Sequence, residues 1–261
     1  MTKVTIGTRI FENVIYRKKG KMNSNLYRRL ICYFVGLFVM TIGIAISVKS
    51  NLGVSPVSSI PYTITCIWGI EMGKATILFH CILVLLQIVL LRQKFKLINL
   101  LQVAIGVVFG YFTTFCNWGA SFLPSSDNLI IRIEMMLISA VVIAFGIFLY
   151  LPANIMPLAG EGAMKAVSDI SGIEFSKVKV CFDISMVIIS LVSCLAFIRG
   201  FGSVGIGTLI AAVLVGNILG FINKHFSDAR DKWLHINEFS DPNEILAIDL
   251  ISTETDNSKR A

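Results

Sequence analysis

The chain has 261 residues, of which 55% are hydrophobic and 15% are charged, with a formal net charge of +7 and a mean hydropathy of +0.78. A soluble domain carries about 25% charged residues, so this composition excludes an ordinary soluble globular protein. Several apolar runs approach or exceed the roughly 18 residues that cross the hydrocarbon core of a bilayer. The sequence therefore predicts an all-α polytopic membrane protein, with the lipid bilayer as its surroundings.

The charged residues are distributed unevenly between the two ends of the chain. Residues 1–29 hold eight basic residues and one acid, whereas residues 224–261 hold five basic and eight acidic residues. The positive-inside rule places such a basic N-terminus in the cytoplasm. We expect a basic cytoplasmic arm over residues 1–29, a membrane domain over 30–223 and an acidic, loosely ordered cytoplasmic tail over 224–261. A basic arm can bind nucleic acid, but no nucleic-acid partner is expected, because no folded soluble domain accompanies it.

Six apolar runs are long enough to span a membrane. The first follows the basic arm without a small-residue cleavage site, so we interpret it as a retained helix and not a signal peptide. The runs cover about residues 30–48, 75–91, 97–117, 129–151, 178–198 and 203–223.

Two shorter apolar segments, about residues 55–68 and 156–170, are interrupted by proline and glycine. At 1.5 Å per residue, each gives only about 20 Å of helix. Short, broken segments of this kind are typical of re-entrant or half helices. The chain has six spans if both segments re-enter and eight spans if both cross.

The two short segments belong to an internal repeat. At an offset of 103 residues, eleven positions between residues 41 and 90 have an identical partner, including the block GIE with a lysine three residues later. A repeat sets the architecture. The positive-inside rule favours six spans, with the loop RQKFK inside, and two inverted repeats of three spanning helices plus one short segment, about 30–117 and 129–223. Eight spans with parallel repeats stay open as the alternative.

Ionisable residues within membrane spans are costly and usually functional. Asp183 and His80 stand at equivalent positions of the two repeats, and a repeated architecture can bring such positions together. They are candidates for binding a solute or a cation, or for proton coupling, because histidine titrates near neutral pH. The alternative for Asp183 is a structural ion pair with Lys179, one helical turn earlier.

The short segments carry the remaining candidates. Glu161 and Lys165 stand four residues apart in the second, and Glu161 lies between two glycines, where the backbone can approach a ligand closely. Their alternative role is a salt bridge at the membrane surface. The first segment carries hydroxyls that can bind a cation or a polar solute, or that only satisfy the backbone around its prolines: Ser55, Ser58, Ser59 and Thr63.

The sequence contains no enzyme signature, and its six cysteines form no Cys-x-x-Cys pair. We therefore expect no enzymatic activity, no catalytic residue, no metal and no cofactor. Glycines four residues apart, Gly106 with Gly110 and Gly216 with Gly220, predict close helix packing. Self-association of the chain is left open.

Three blocks of the sequence, NLGVSPVSSIPYTIT from Asn51, FDISMVIISL from Phe182 and GSVGIGTLIAAVLVGNILGF from Gly202, resemble the YczE/YyaS/YitT group of bacterial integral membrane proteins. The resemblance covers about residues 28–223. It implies a multi-pass protein of the bacterial cytoplasmic membrane, but no substrate, because the function of the group is essentially unassigned. Asn217 departs from the group, which often has proline there, whereas Glu161 matches an acid that the group often carries.

These features predict a small secondary transporter or solute-binding membrane protein. Its site would lie between the two repeats and would take an unknown small solute or cation. The alternative is a non-transporting accessory or regulatory protein that acts through a protein partner.

Overall fold

The computed structural model describes residues 4–123 and 127–234, with side-chain positions from residue 26 onward. The tail predicted beyond residue 234 and most side chains of the basic arm lie outside this description. The described residues divide into two compact units, with a boundary between Arg29 and Leu30 and another between Asn223 and Lys224. The candidate site lies in the unit between these two boundaries.

Eight α-helices make up most of the described residues, which contain no strand. Six of them, all except α2 and α6, are long and apolar enough to cross a membrane. The prediction of an all-α, multi-pass membrane protein is confirmed. The helices are α1 (Val4–Ser50), α2 (Pro56–Trp68), α3 (Met72–Leu91), α4 (Leu101–Ser121), α5 (Leu129–Tyr150), α6 (Ala159–Ser171), α7 (Phe175–Phe197) and α8 (Ile206–Leu234).

The helix ends differ most from prediction at the two termini of the chain. Helix α1 begins at Val4, well before the predicted span, and α8 continues to Leu234, beyond the predicted end at residue 223. Residues 224–234 were expected in the loosely ordered tail, and this part of the prediction is wrong. The segment KHFSDARDKWL contains neither glycine nor proline, so its sequence offers no signal that would end the helix.

Helices α1 and α5 pack antiparallel and at close range. Gly36 of α1 lies against Tyr150, at the end of α5. Further along α1, a Cβ on Gly146 of α5 would lie 2.6 Å from the backbone nitrogen of Met40. Backbone atoms of the neighbouring helix occupy the space that a Cβ would need at Gly36 and Gly146. No residue larger than glycine therefore fits at either position unless α1 and α5 move apart.

Helices α3 and α4 form a second close pair. A Cβ on Gly106 of α4 would lie 2.7 Å from Nδ1 of His80 on α3, and a Cβ on Gly110 would overlap the side chain of Ile77 on the same helix. The predicted close packing is therefore confirmed at these glycines. At Gly216 and Gly220 of α8, a Cβ would meet no atom of the described residues within 4 Å, so close packing is not seen there within this part of the chain.

The two short helices pack across the molecule. Helix α2 packs on α7, and α6 packs on α3. In the second contact, Ala159 and Ala163 of α6 lie in an apolar cluster with Phe79 and Leu83 of α3. Each short helix thus packs on the long helix that follows the other one, and this exchange brings the two segments to the same region of the interior.

Candidate functional site

The two short helices have matching backbone geometry. The helix before each of them leads to an asparagine in the left-handed region, Asn51 with φ 52° and Asn154 with φ 49°. Each short helix has 13 residues and ends at a left-handed glycine, Gly69 with φ 67° or Gly172 with φ 69°. Glycine, and to a lesser degree asparagine, adopts this conformation at low cost. These residues thus set the turns before and after each segment.

Polar side chains hold each short helix against its partner. On α2, the Ser59 hydroxyl accepts a hydrogen bond of 2.8 Å from Ser190 of α7. At the equivalent place on α6, Gly162 leaves room for the amides of Gln87 and Gln102. Gln87 Nε2 donates to Gln102 Oε1 at 2.8 Å and to a backbone carbonyl of α6 at 3.2 Å. Both contacts satisfy buried polar groups and fix the position of the short helix.

A cavity of about 450 Å³ lies where the first turns of α2 and α6 approach each other, and the long helices supply the rest of its wall. Most of the wall is apolar. Six of the eight predicted site residues line the cavity, so the structure brings together groups that are far apart in sequence. They are Ser55, Ser58, His80, Glu161, Lys165 and Asp183.

Glu161 is a partly buried acid, and its two carboxylate oxygens differ in their hydrogen bonding. The Tyr150 hydroxyl donates to Glu161 Oε1, and Oε2 is buried without a hydrogen-bond partner among the described residues. The ring of Tyr150 packs edge-on against Tyr33, with centroids 6.0 Å apart. The ion pairs of the described residues do not include one with Lys165. An unpartnered buried carboxylate oxygen is costly, so this atom is a candidate for contact with a ligand.

Asp183 forms the ion pair that was its alternative role. Lys179 Nζ lies 3.2 Å from Asp183 Oδ2, one turn away on α7. The other carboxylate oxygen, Oδ1, is buried and has no hydrogen-bond partner among the described residues. Asp183 is thus neutralised by Lys179 and still lines the cavity with one available acceptor.

His80 lies opposite, on α3, and is only 4% exposed. Its ring stacks on Phe109 with a centroid distance of 5.6 Å and an interplanar angle of 12°. Its Nδ1 atom is buried and lacks a hydrogen-bond partner in the described part of the chain. The cavity is therefore lined by both His80 and Asp183, the two residues that the sequence analysis paired, and the function of either residue stays a prediction.

The hydroxyls of the first short segment divide between two faces of α2. Ser55 donates to Ser58 at 3.1 Å, and both line the cavity. Ser59 and Thr63 do not line it. Thr63 donates to the Ser59 carbonyl at 2.8 Å and bonds to Ser203, so both face the contact with α7. The expectation that all four share one site is corrected: Ser59 contacts Ser190 of α7 and Thr63 contacts Cys194 of α7, so the packing of α2 on α7 takes both hydroxyls out of the cavity.

Several residues of this region are missed by the sequence analysis. Tyr150 lies at the end of an apolar run, where tyrosine is common, so its bond to Glu161 gives no signal in the sequence. Gln87 and Gln102 could have been recognised from the sequence, because side-chain amides in apolar runs usually hydrogen-bond between helices. Arg132 closes the end of α1 by donating from Nε to the Ser50 carbonyl at 2.8 Å.

The membrane domain is similar to known bacterial proteins. The chain is 24% identical over 201 residues to the uncharacterized membrane protein YczE of Bacillus subtilis (strain 168), a match that covers 77% of this chain and 87% of the relative. It is 25% identical over 198 residues to the uncharacterized protein YyaS of the same organism, covering 74% and 94%. No solved structure matches the chain. The predicted resemblance is confirmed: a model of the family of unknown function DUF6198 matches residues 27–224, and the chain belongs to this family.

Proposed function

We propose that the chain is a small secondary transporter that binds a solute in the cavity between its two halves. The observation that carries this proposal is the buried Oε2 atom of Glu161, which has no hydrogen-bond partner in the part of the chain that the structure describes and belongs to a residue that lines the cavity. Half helices whose first turns meet at a site in the membrane are typical of such transporters. Alternating access would expose the cavity to one side at a time by rocking one half against the other.

The proposal includes two inverted repeats, about residues 30–117 and 129–223. Antiparallel packing of α1 and α5, the first long helix of each half, supports this arrangement. If both short helices crossed the membrane, α5 would be the fifth crossing and would run parallel to α1. Six crossings put both termini on one side, and the basic arm favours the cytoplasmic side of a bacterial cell membrane.

The second candidate function is an accessory protein that acts through a protein partner and transports nothing. The ion pair between Lys179 and Asp183 favours it, because a structural pair explains a charged residue in a span without any ligand. This candidate predicts that substitutions in the cavity change stability but no binding or transport activity.

Thermal stability of the detergent-purified protein against a panel of cations and small metabolites separates the two candidates. A ligand at a hundred times its Kd stabilises a protein by about 2.7 kcal/mol. For a domain of about 200 residues, this corresponds to roughly 5–10 °C in Tm. We expect at least one panel member to produce such a shift in the wild type and to lose it in Glu161→Gln and in Asp183→Asn.

The matched control is Glu134→Gln, because Glu134 is an exposed glutamate of α5 that does not line the cavity. It should keep the full ligand-induced shift. A stabilising ligand would then be tested for uptake into proteoliposomes. If no panel member stabilises the protein, or if Glu161→Gln and Asp183→Asn respond as the wild type does, the transporter proposal fails and the accessory function is favoured.

A further inference from the structure

Four charged side chains line the cavity, and two of them already neutralise each other. Lys179 Nζ lies 3.2 Å from Asp183 Oδ2. Glu161 and Lys165 stand one turn apart on α6 and both line the cavity, yet no ion pair joins them among the described residues. The cavity therefore presents one acidic and one basic group that do not satisfy each other.

The first turn of α2 adds a second positive element. It begins with Pro56, contains no acidic residue, and receives no side-chain cap from Ser55. The first turn of α6, by contrast, contains Glu161. Free N–H groups at a helix N-terminus carry partial positive charge and bind anionic groups. In α2, Pro56 has no N–H and the Ser58 N–H donates to the Ser55 carbonyl, so the Val57 N–H is the donor left for such a group. The cavity thus has an acid at the α6 end and an unfilled helix N-terminus at the α2 end.

A polar atom without a partner points to a ligand independently of the helix ends. Glu161 Oε2 is buried and unbonded in the described residues, and its side chain lines the cavity. The unbonded Nδ1 atom of His80 lies against Gly106 of α4, so it is not counted towards the ligand. Buried polar groups are nearly always hydrogen-bonded in native proteins, so groups of this kind need an explanation.

The rest of the wall accommodates an apolar body. The cavity volume of about 450 Å³ falls in the range of roughly 300–1,000 Å³ that is usual for small-molecule sites. Aromatic rings and methionine side chains provide adaptable apolar contact. The apolar lining includes Met40, Met72, Phe79, Phe109, Met164 and Phe175.

We propose that the solute is a zwitterion with an apolar body, of the class of the apolar α-amino acids. Its ammonium group donates to Glu161 Oε2, and its carboxylate accepts from Lys165 and from the first turn of α2. A solute with only a positive charge leaves Lys165 and the helix end without a partner, and one with only a negative charge leaves the Glu161 oxygen desolvated. This inference rests on the proposed function, because it names the substrate class of the same cavity.

Three compounds that share the leucine side chain but carry different charged groups test the inference. L-leucine is zwitterionic, leucinamide carries only the ammonium group, and N-acetylleucine carries only the carboxylate. Thermal stability of the full-length protein in detergent is measured against the concentration of each, slightly below neutral pH so that the amino groups are protonated. We expect leucine to stabilise the protein with an apparent Kd at least about tenfold lower than that of either analogue, because each loses a charge-assisted hydrogen bond.

Two cavity variants assign the two charges. Lys165→Gln should reduce the difference between leucine and leucinamide, and Glu161→Gln should reduce the difference between leucine and N-acetylleucine. Glu134→Gln is the control and should keep the wild-type order of the three compounds. If either analogue binds the wild type as tightly as leucine, the zwitterion class is overturned while solute binding stands. The same holds if another panel solute stabilises the protein and leucine does not. If no compound stabilises it, this inference and the proposed function both fail.

Discussion

The hydrogen bond between Tyr150 and Glu161 makes a quantitative prediction about stability. Tyr150 is 2% exposed, and its hydroxyl is the partner of Glu161 Oε1. Tyr150→Phe keeps the ring and its packing against Tyr33 but removes the hydroxyl that donates to the Glu161 carboxylate. Because a hydrogen bond to a charged group contributes about 1.5–3 kcal/mol, we expect the free energy of unfolding to fall by that amount.

A double-mutant cycle separates this bond from general packing effects. Glu161→Met replaces the carboxylate with an unbranched apolar side chain of similar length. In the Glu161→Met background, Tyr150→Phe should lower the free energy of unfolding by less than about 0.5 kcal/mol, because no carboxylate is present to lose its hydrogen bond. The coupling energy should therefore be about 1–2.5 kcal/mol, within the usual range for residues in contact.

Unfolding in mixed micelles with increasing SDS, followed by tryptophan fluorescence, measures all four proteins under one condition. Our reasoning would be refuted by a Tyr150→Phe variant whose free energy of unfolding lies within about 0.5 kcal/mol of the wild type. It would also be refuted if Tyr150→Phe cost the same with and without the Glu161 carboxylate.

The remaining predictions concern packing and topology. Gly146→Ala should destabilise the protein by about 1–3 kcal/mol, because its Cβ would lie 2.6 Å from the backbone of α1. In Gly220→Ala the Cβ meets no atom of residues 4–123 and 127–234 within 4 Å, so the change should be neutral or stabilising by up to about 1 kcal/mol. Equal costs for the two variants would contradict the α1–α5 packing. Ser59→Ala and Ser190→Ala should each cost about 1 kcal/mol, with the double variant costing less than the sum. A cysteine introduced by Lys94→Cys should react with an impermeant thiol reagent only from the cytoplasmic side, and reaction from outside would contradict six crossings.

Much of the backbone is predictable because its signals are local. Apolar length predicts six long helices, and proline and glycine predict two short ones. The repeat offset relates the left-handed Asn51 to Asn154 and Gly69 to Gly172, which stand 103 residues apart. The extension of α8 from residue 224 to Leu234 is not predictable from hydropathy, because a helix that leaves the apolar part of a span keeps its hydrogen bonds while its side chains become polar.

The charged residues of the site can be predicted from the sequence, but the residues that they contact cannot. Glu161 and Asp183 are recognisable because burying a carboxylate in an apolar membrane segment costs free energy, so such residues are rare and usually functional. The partner of Glu161 depends on how the end of α5 meets the start of α6. Likewise, Ser59 faces α7 and not the cavity because α2 crosses to the other half of the molecule. Both facts are tertiary, and neither follows from spacing within one segment.

The two short helices have the same length and matching left-handed residues before and after them, but their side chains differ. The last prediction follows from this difference. Glu161 aligns with Ser58, so one short helix begins with an acid and the other with a hydroxyl. Under the zwitterion proposal, this asymmetry orients the solute, with its carboxylate towards α2 and its ammonium group towards α6. Ser58→Glu would place an acid in the first turn of α2 as well, where it repels a carboxylate and attracts a cation.

We therefore expect Ser58→Glu to weaken leucine binding and to strengthen leucinamide binding, which reverses the wild-type order. Ser58→Gln is the matched control, because glutamine has the same size as glutamate without its charge and should weaken both compounds alike through bulk. Thermal shifts with the two compounds measure the effect. If Ser58→Glu and Ser58→Gln change both shifts equally, charge at this position does not select the solute, and the first turn of α2 does not hold its carboxylate.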